Sequence, residues 1–174
     1  MLPLAPTYAR WLALVRFYTG FFWIMHGLGK VRDPQWAAPG GECATLIGQM
    51  IGHTSGPYHD FIANTVLPNV TVFAHLVAWG ETLTGVSLLL GLLTRVGGLV
   101  GTLLALNYWA AKGDFHRPSG YATLDTVAAV LSFIHFVLPT GNVMGLDNLL
   151  APRRRIVAET VEAAPGAVPP VGPR

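Results

Sequence analysis

An all-α integral membrane bundle of four transmembrane helices is the fold this sequence predicts, and three observations predict it. Of the 174 residues, 52% are hydrophobic and only 11% charged, with a mean hydropathy of +0.47, a balance foreign to a soluble domain of this size. Four apolar stretches approach the roughly 20 residues that a bilayer core requires. A few strongly polar residues lie inside those stretches, where they should face a bundle interior rather than lipid. The same balance excludes other classes. A formal charge of +2 provides no basic stripe for nucleic acid. Cys43 is the only cysteine, so no internal disulfide, CxxC pair or cysteine-based metal centre can form, and no metal site or covalent cofactor is expected.

The first stretch, about residues 11–28, carries Arg16 and does not end at a small-residue cleavage site, so it reads as a retained anchor. Residues 29–70 form an external loop rich in Gly and Pro, with apolar patches at 44–51 and 58–66 that predict one or two short interfacial helices. The second and third spans, about 71–93 and 96–111, are separated by Thr94 and Arg95 and followed by Gly97 and Gly98, which predicts a tight antiparallel hairpin. The fourth span covers about 121–138. Pro139, Thr140 and Gly141 stop it, and residues 142–150 suggest a short surface helix. A single membrane domain thus occupies 1–150, followed by a basic and then Pro/Gly-rich tail at 151–174, expected to be disordered from Ala163 onward. Arg10, Arg95, Arg153, Arg154 and Arg155 fall on one side, whereas Lys30, Arg32, Lys112 and Arg117 fall on the other among Asp33 and Asp114. Basic residues favour the cytoplasm, so both termini are expected there, in an inner (cytoplasmic) membrane.

Arg16, His26, Glu81, Asn107, Asp125 and His135 are the informative polar residues of the spans, costly in a membrane and expected to face the bundle interior. Arg16, Thr19, Trp23, His26 and Lys30 recur at steps of three and four, one stripe of the first helix. Gly97, Gly101 and Ala105 form a small-residue ridge on the third. At about 1.5 Å rise per residue, His26, Glu81, Asn107 and Asp125 all lie roughly 17 to 22 Å above the inner ends of their spans, one from each helix. Arg16 is expected to reach toward this layer as the partner of Glu81 or to snorkel to the inner headgroups. His26 and His135 differ by about 17 Å in depth, which disfavours a bis-histidine haem. Two readings of the layer stand side by side: a network that fixes helix register, or a site that binds a polar head such as a quinone ring and passes protons. On the second reading Glu81 and Asp125 are the catalytic candidates, and Arg16, His26, Lys30 and Asn107 the substrate-binding ones.

Three segments carry a family resemblance: RFYTGFFWIMHGLGK at 16–30, GETLTGVSLLLGLLTRVGG at 80–98 and GNVMGLDNLL at 141–150. Together they resemble the DoxX/DoxD-like membrane proteins, whose pattern Arg16, Lys30, Glu81, Arg95 and Asp147 match. The resemblance implies a four-helix integral membrane protein, with some members linked to thiosulfate:quinone oxidoreduction and others to membrane oxidoreductase complexes. The expectation is a quinone-linked oxidoreductase component in contact with the lipid bilayer and other membrane-protein subunits, and not with nucleic acid. The alternative is a non-catalytic accessory or structural subunit of a larger respiratory or photosynthetic membrane complex. Lys30, Arg32, Lys112 and Arg117 at the outer end are candidates for attracting an anion such as thiosulfate.

Overall fold

The computed structural model describes residues 6–114 and 120–150; His116, Arg117 and the expected tail at 151–174, with Arg153, Arg154 and Arg155, lie outside the described residues. Only helices and turns occur among the described residues. The first helix, α1 (Pro6–Arg32), starts before the expected span and runs past its end. The expected external loop holds two helices, α2 (Glu42–Ile51) and α3 (Gly56–Phe61). A π-helical turn at Ile62–Val66 and a 3-10 turn at Leu67–Asn69 join α3 directly to α4 (Val70–Leu90). Helix therefore continues from Gly56 to Leu90, and that segment is long and apolar enough to cross a membrane by length and composition. Pro68 stands inside it. A proline without an N–H disrupts the regular i to i−4 ladder, which accounts for the change of helical pitch there.

The expected hairpin joins α4 to α5 (Thr94–Ala111) through Gly91 and Leu93, both in the left-handed region at φ +63° and +52°. Next is α6 (Leu124–Val137), opened by a capping box in which Thr123 and Thr126 satisfy each other's backbone N–H groups. Where the sequence suggested a helix over 142–150, the structure has a 3-10 turn at Thr140–Asn142 and one helical turn, α7 (Asp147–Leu150).

Four helices close a ring in the order α1, α4, α5, α6, with the most extensive contacts between α1 and α4 and between α5 and α6. Small residues explain the first of these contacts. A Cβ on Gly27 would lie 2.3 Å from the Thr82 amide nitrogen, and one on Gly85 would lie 2.4 Å from that of Ile24. The two backbones thus touch at points about one turn apart, a packing available only to residues without side chains. Across the ring, Trp23 Nε1 donates to Ser132 Oγ at 2.9 Å, joining α1 to α6.

Polarity is inverted relative to a water-soluble bundle. Arg16, Thr19, Glu81, Thr84, Ser132 and His135 are no more than 2% exposed. Outward, each ring helix presents apolar residues at steps of three and four: Trp11, Leu14, Tyr18, Phe21 and Met25 on α1, and Val96, Leu99, Leu103 and Leu106 on α5. Such stripes on α4 and α6 continue the apolar surface around the ring, as expected where lipid, not water, surrounds the protein. We expect Gly27→Leu to push α1 from α4 and destabilise the bundle by about 1–3 kcal/mol, read as an earlier thermal transition in detergent. An unaltered transition would mean that the backbones are free to separate.

Candidate functional site

The polar residues of the interior form two groups at opposite ends of the ring. One group is centred on Glu81. Lys30 Nζ donates to Glu81 Oε1 at 2.6 Å, to Glu81 Oε2 at 2.7 Å and to Tyr108 Oη at 2.7 Å. Tyr108 Oη in turn donates to Glu81 Oε1 at 2.7 Å. An ammonium group has three N–H donors, so Lys30 is fully engaged, and the three side chains form a closed, neutral network. Lys30 also lies 4.8 Å from the Trp36 ring centre and 5.0 Å from that of Tyr108, both favourable cation–π distances. The close approach at Gly27, one turn before Lys30, brings α1 near enough to α4 for this pairing.

Beside the network lies a cavity of about 260 Å³, walled by Glu81, Lys30, Tyr108, His26, Trp23 and a second ion pair. That pair is Lys112 with Asp125 at 2.7 Å, joining the end of α5 to the start of α6. It is the more exposed of the two, since the Lys112 side chain is 41% accessible whereas Glu81 is 1% accessible. His26 packs edge-on to Phe22 at 4.4 Å between ring centres. The cavity therefore combines two carboxylates, two ammonium groups, a phenol and an imidazole, a set able to hydrogen-bond a polar ligand and exchange protons with it.

The other group is built on Arg16, which is completely buried. Its guanidinium donates to three backbone carbonyls beyond α6: Thr140 at 2.7 Å, Val143 at 3.2 Å and Met144 at 2.7 Å. Next to it, His135 bridges Thr19 Oγ1 at 3.3 Å and Thr140 Oγ1 at 3.2 Å. Asp147 caps α5, accepting from the Leu93 and Thr94 amides at 2.6 and 3.1 Å and from the Thr94 hydroxyl at 2.5 Å. This carboxylate offsets the positive end of the helix as an N-cap does. Gly91 is required by its positive φ and by the guanidinium, because a Cβ there would lie 2.6 Å from an Arg16 nitrogen. These residues tie the chain after α6 to the α4–α5 turn and to α1.

Four of the six predicted site residues, His26, Lys30, Glu81 and Asp125, line the same cavity. Arg16 does not, and the expected Arg16–Glu81 pair is replaced by Lys30–Glu81. About 14 residues of helix, some 21 Å, separate Arg16 from Lys30 on α1, so both cannot serve one carboxylate. Asn107 also leaves the expected layer: its Oδ1 accepts from Tyr58 Oη at 2.9 Å and it lines a different, apolar cavity. Sequence reasoning omitted Tyr108 from the site and treated Lys112 as an outer-end charge. Their spacing of four along α5, like that of His26 and Lys30 on α1, was the available signal. Cys43 on α2 is 5% exposed, and its burial raises the thiol pKa, partly countered by Lys30. It is therefore a packed residue rather than a poised nucleophile.

A family model described as DoxX matches residues 11–112. No curated protein and no solved structure matches the chain.

The ion pair sets a stability expectation. Lys30→Met leaves the Glu81 charge buried without a cation and should cost about 3–5 kcal/mol. Combining it with Glu81→Leu should restore most of that loss. Chemical denaturation in detergent of both variants and of Glu81→Leu alone measures this, and a double variant whose loss equals the sum of the two single losses would show that the two residues are not coupled. Because its raised thiol pKa leaves less thiolate at pH 8 than a free cysteine has, Cys43 should be alkylated by maleimide more slowly than a small free thiol. Alkylation at the free-thiol rate would show that α2 does not stay closed over it.

Proposed function

This chain belongs to the DoxX family of membrane proteins, and from that premise we propose that it is the quinone-binding component of a membrane oxidoreductase, built as a four-span bundle. The observation that carries the reading is a buried Glu81, held by Lys30 and Tyr108, on the wall of a polar cavity with a second ion pair. Support for four spans comes from the apolar stripes on α1, α4, α5 and α6. Arg10 and Arg95 at one end of the ring support an inner-membrane orientation with both termini cytoplasmic and the polar cavity at the outer end.

A quinone supplies the redox chemistry: on reduction it takes up two electrons, here from a partner redox subunit, and two protons. The chain's own residues bind the head and move the protons. Lys112 has N–H groups beyond its bond to Asp125 and, with His26, donates to a carbonyl oxygen of the head. Asp125 is the carboxylate nearest the accessible side and exchanges protons with the outside. Lys30 and the Tyr108 hydroxyl hold Glu81 in position from two sides, and Glu81 receives a proton from the cavity side and passes it to the reduced head. Phe22, Trp23, Met50, Ala105, Leu124 and Ala128 form the remaining wall and limit water around these groups.

The test is quinone-dependent turnover of the detergent-purified complex. Glu81→Gln retains the shape and the Tyr108 contact but not the charge, and should reduce turnover by at least about a hundredfold, the range typical of a lost acid–base group. Tyr108→Phe should reduce it by a smaller factor. Turnover unchanged in Glu81→Gln would remove the proton-handling role and leave the network as a device for fixing helix register. Mass analysis of the native complex decides the partner question, because a large stoichiometric assembly lacking quinone at this chain would make it an accessory subunit.

A further inference from the structure

A second cavity, of about 280 Å³, lies under α2 and α3 against the outer ends of α4 and α5. Its walls are almost entirely apolar: Leu46 and Ile47 from α2, Phe61 from α3, Ile62 and Val66 from the π-helical turn, and Val77 from α4. Leu46 and Phe61 are 38% and 45% exposed, so the mouth opens between the two roofing helices and is itself apolar. Ligand pockets commonly span about 300 to 1,000 Å³. At 280 Å³, this one is sized for a segment of a ligand rather than a whole lipid.

The apolar cavity adjoins the polar one. Met50 and Tyr108 line both, and they are the two side chains between them. Tyr108 directs its hydroxyl into the Glu81 network and offers its ring to the apolar side. Met50, at the end of α2, is unbranched and has three rotatable bonds, the side chain best able to move aside without changing the backbone. The structure thus joins an apolar slot, a movable partition and a chamber of charged groups in that order.

We propose that the two cavities form one bipartite site for a membrane amphiphile, with the polar head beside Glu81, Lys112 and His26 and the hydrocarbon chain passing Met50 into the slot beneath α2 and α3. The inference rests on the quinone reading for its head-group chamber and adds the chain-binding half. A chain in the slot exchanges contact with lipid tails for contact with Ile47, Phe61 and Val77. It also leads the head to the Glu81 network from one direction. The same slot accepts an isoprenoid chain of a quinone or an acyl chain of a lipid, since both present saturated or branched carbon of similar width.

The experiment measures binding to the purified full chain of a benzoquinone with a long isoprenoid tail, the same ring with only a methyl in place of the tail, and a phospholipid carrying a photoreactive acyl chain. Ile47→Trp fills the slot from α2, and Val77→Phe fills it from α4, so a folding defect in one is controlled by the other. The tailed quinone should bind wild type at least about tenfold more tightly than the ring alone, and each filling variant should remove that difference while leaving the ring's own affinity unchanged. Equal affinities for the two quinones in wild type would overturn the slot and leave the quinone reading standing. Weakening of both quinones by the filling variants would likewise overturn it, by showing that the slot holds the head. If neither quinone binds but the photoreactive lipid labels α2 and α3 and this labelling is lost in both filling variants, the quinone reading fails and the chain slot stands as a lipid site. Absence of all three signals overturns both.

Discussion

Direct contact between the backbones of α1 and α4 is the constraint on which the rest of the structure depends. Gly27 and Gly85 remove the side chains that would hold the helices apart. The approach they permit places the Lys30 ammonium within 2.7 Å of both Glu81 oxygens. Glu81 is 1% exposed, so little water reaches its carboxylate, and an ammonium at this distance is what compensates the buried charge. Tyr108 completes the same arrangement from α5. Through it the third helix is attached to the first pair.

The two ends of the ring solve the problem of buried charge differently. At the Glu81 end cation meets carboxylate, and the pairs border a cavity, so the hydrogen bonds can be exchanged for those of a ligand. At the Arg16 end the guanidinium donates through its two terminal nitrogens to backbone carbonyls at 140–144, and Asp147 accepts from backbone amides of α5. Groups engaged with backbone cannot be released without unravelling a turn. The first end has the properties of a site and the second those of a fastening, although the sequence marks both with the same kinds of residue.

That similarity is why part of the site was legible in the sequence and part was not. A hairpin between α4 and α5 was legible because left-handed turns leave local marks, but it turns at Gly91–Leu93 and not at Thr94 and Arg95, and the surface helix read over 142–150 is a 3-10 turn and a single helical turn. Glu81 was identifiable, since a carboxylate amid Leu, Gly and Thr demands an explanation. Its partner was not. Depth arithmetic started α1 at residue 11, whereas the helix begins at Pro6 and ends at Arg32, and a sequence does not state how far each helix is shifted along its neighbour. Lys30 therefore read as an outer charge and Arg16 as the available cation. Tyr108 escaped notice because an aromatic near a helix end is what an interfacial belt also requires. Asn107 was chosen in its place, and one residue along a helix turns a side chain by about 100° onto another cavity. The roofing helices were expected from their apolar patches, but that α3 runs unbroken into α4 depended on the chain tolerating Pro68 within a π and 3-10 joint, a tertiary outcome.

The carbonyls that satisfy Arg16 have a consequence for how the protein is made. Thr140, whose carbonyl it meets, lies 124 positions later in the chain. At about 5–20 residues per second, the ribosome takes about 6 to 25 s to supply that acceptor after Arg16 itself has been made. During this interval α1 holds an unpartnered guanidinium, and its place is near the headgroups, with the side chain extended to water. The final seating of the first helix is therefore among the last events of biogenesis, and it coincides with arrival of the segment after α6.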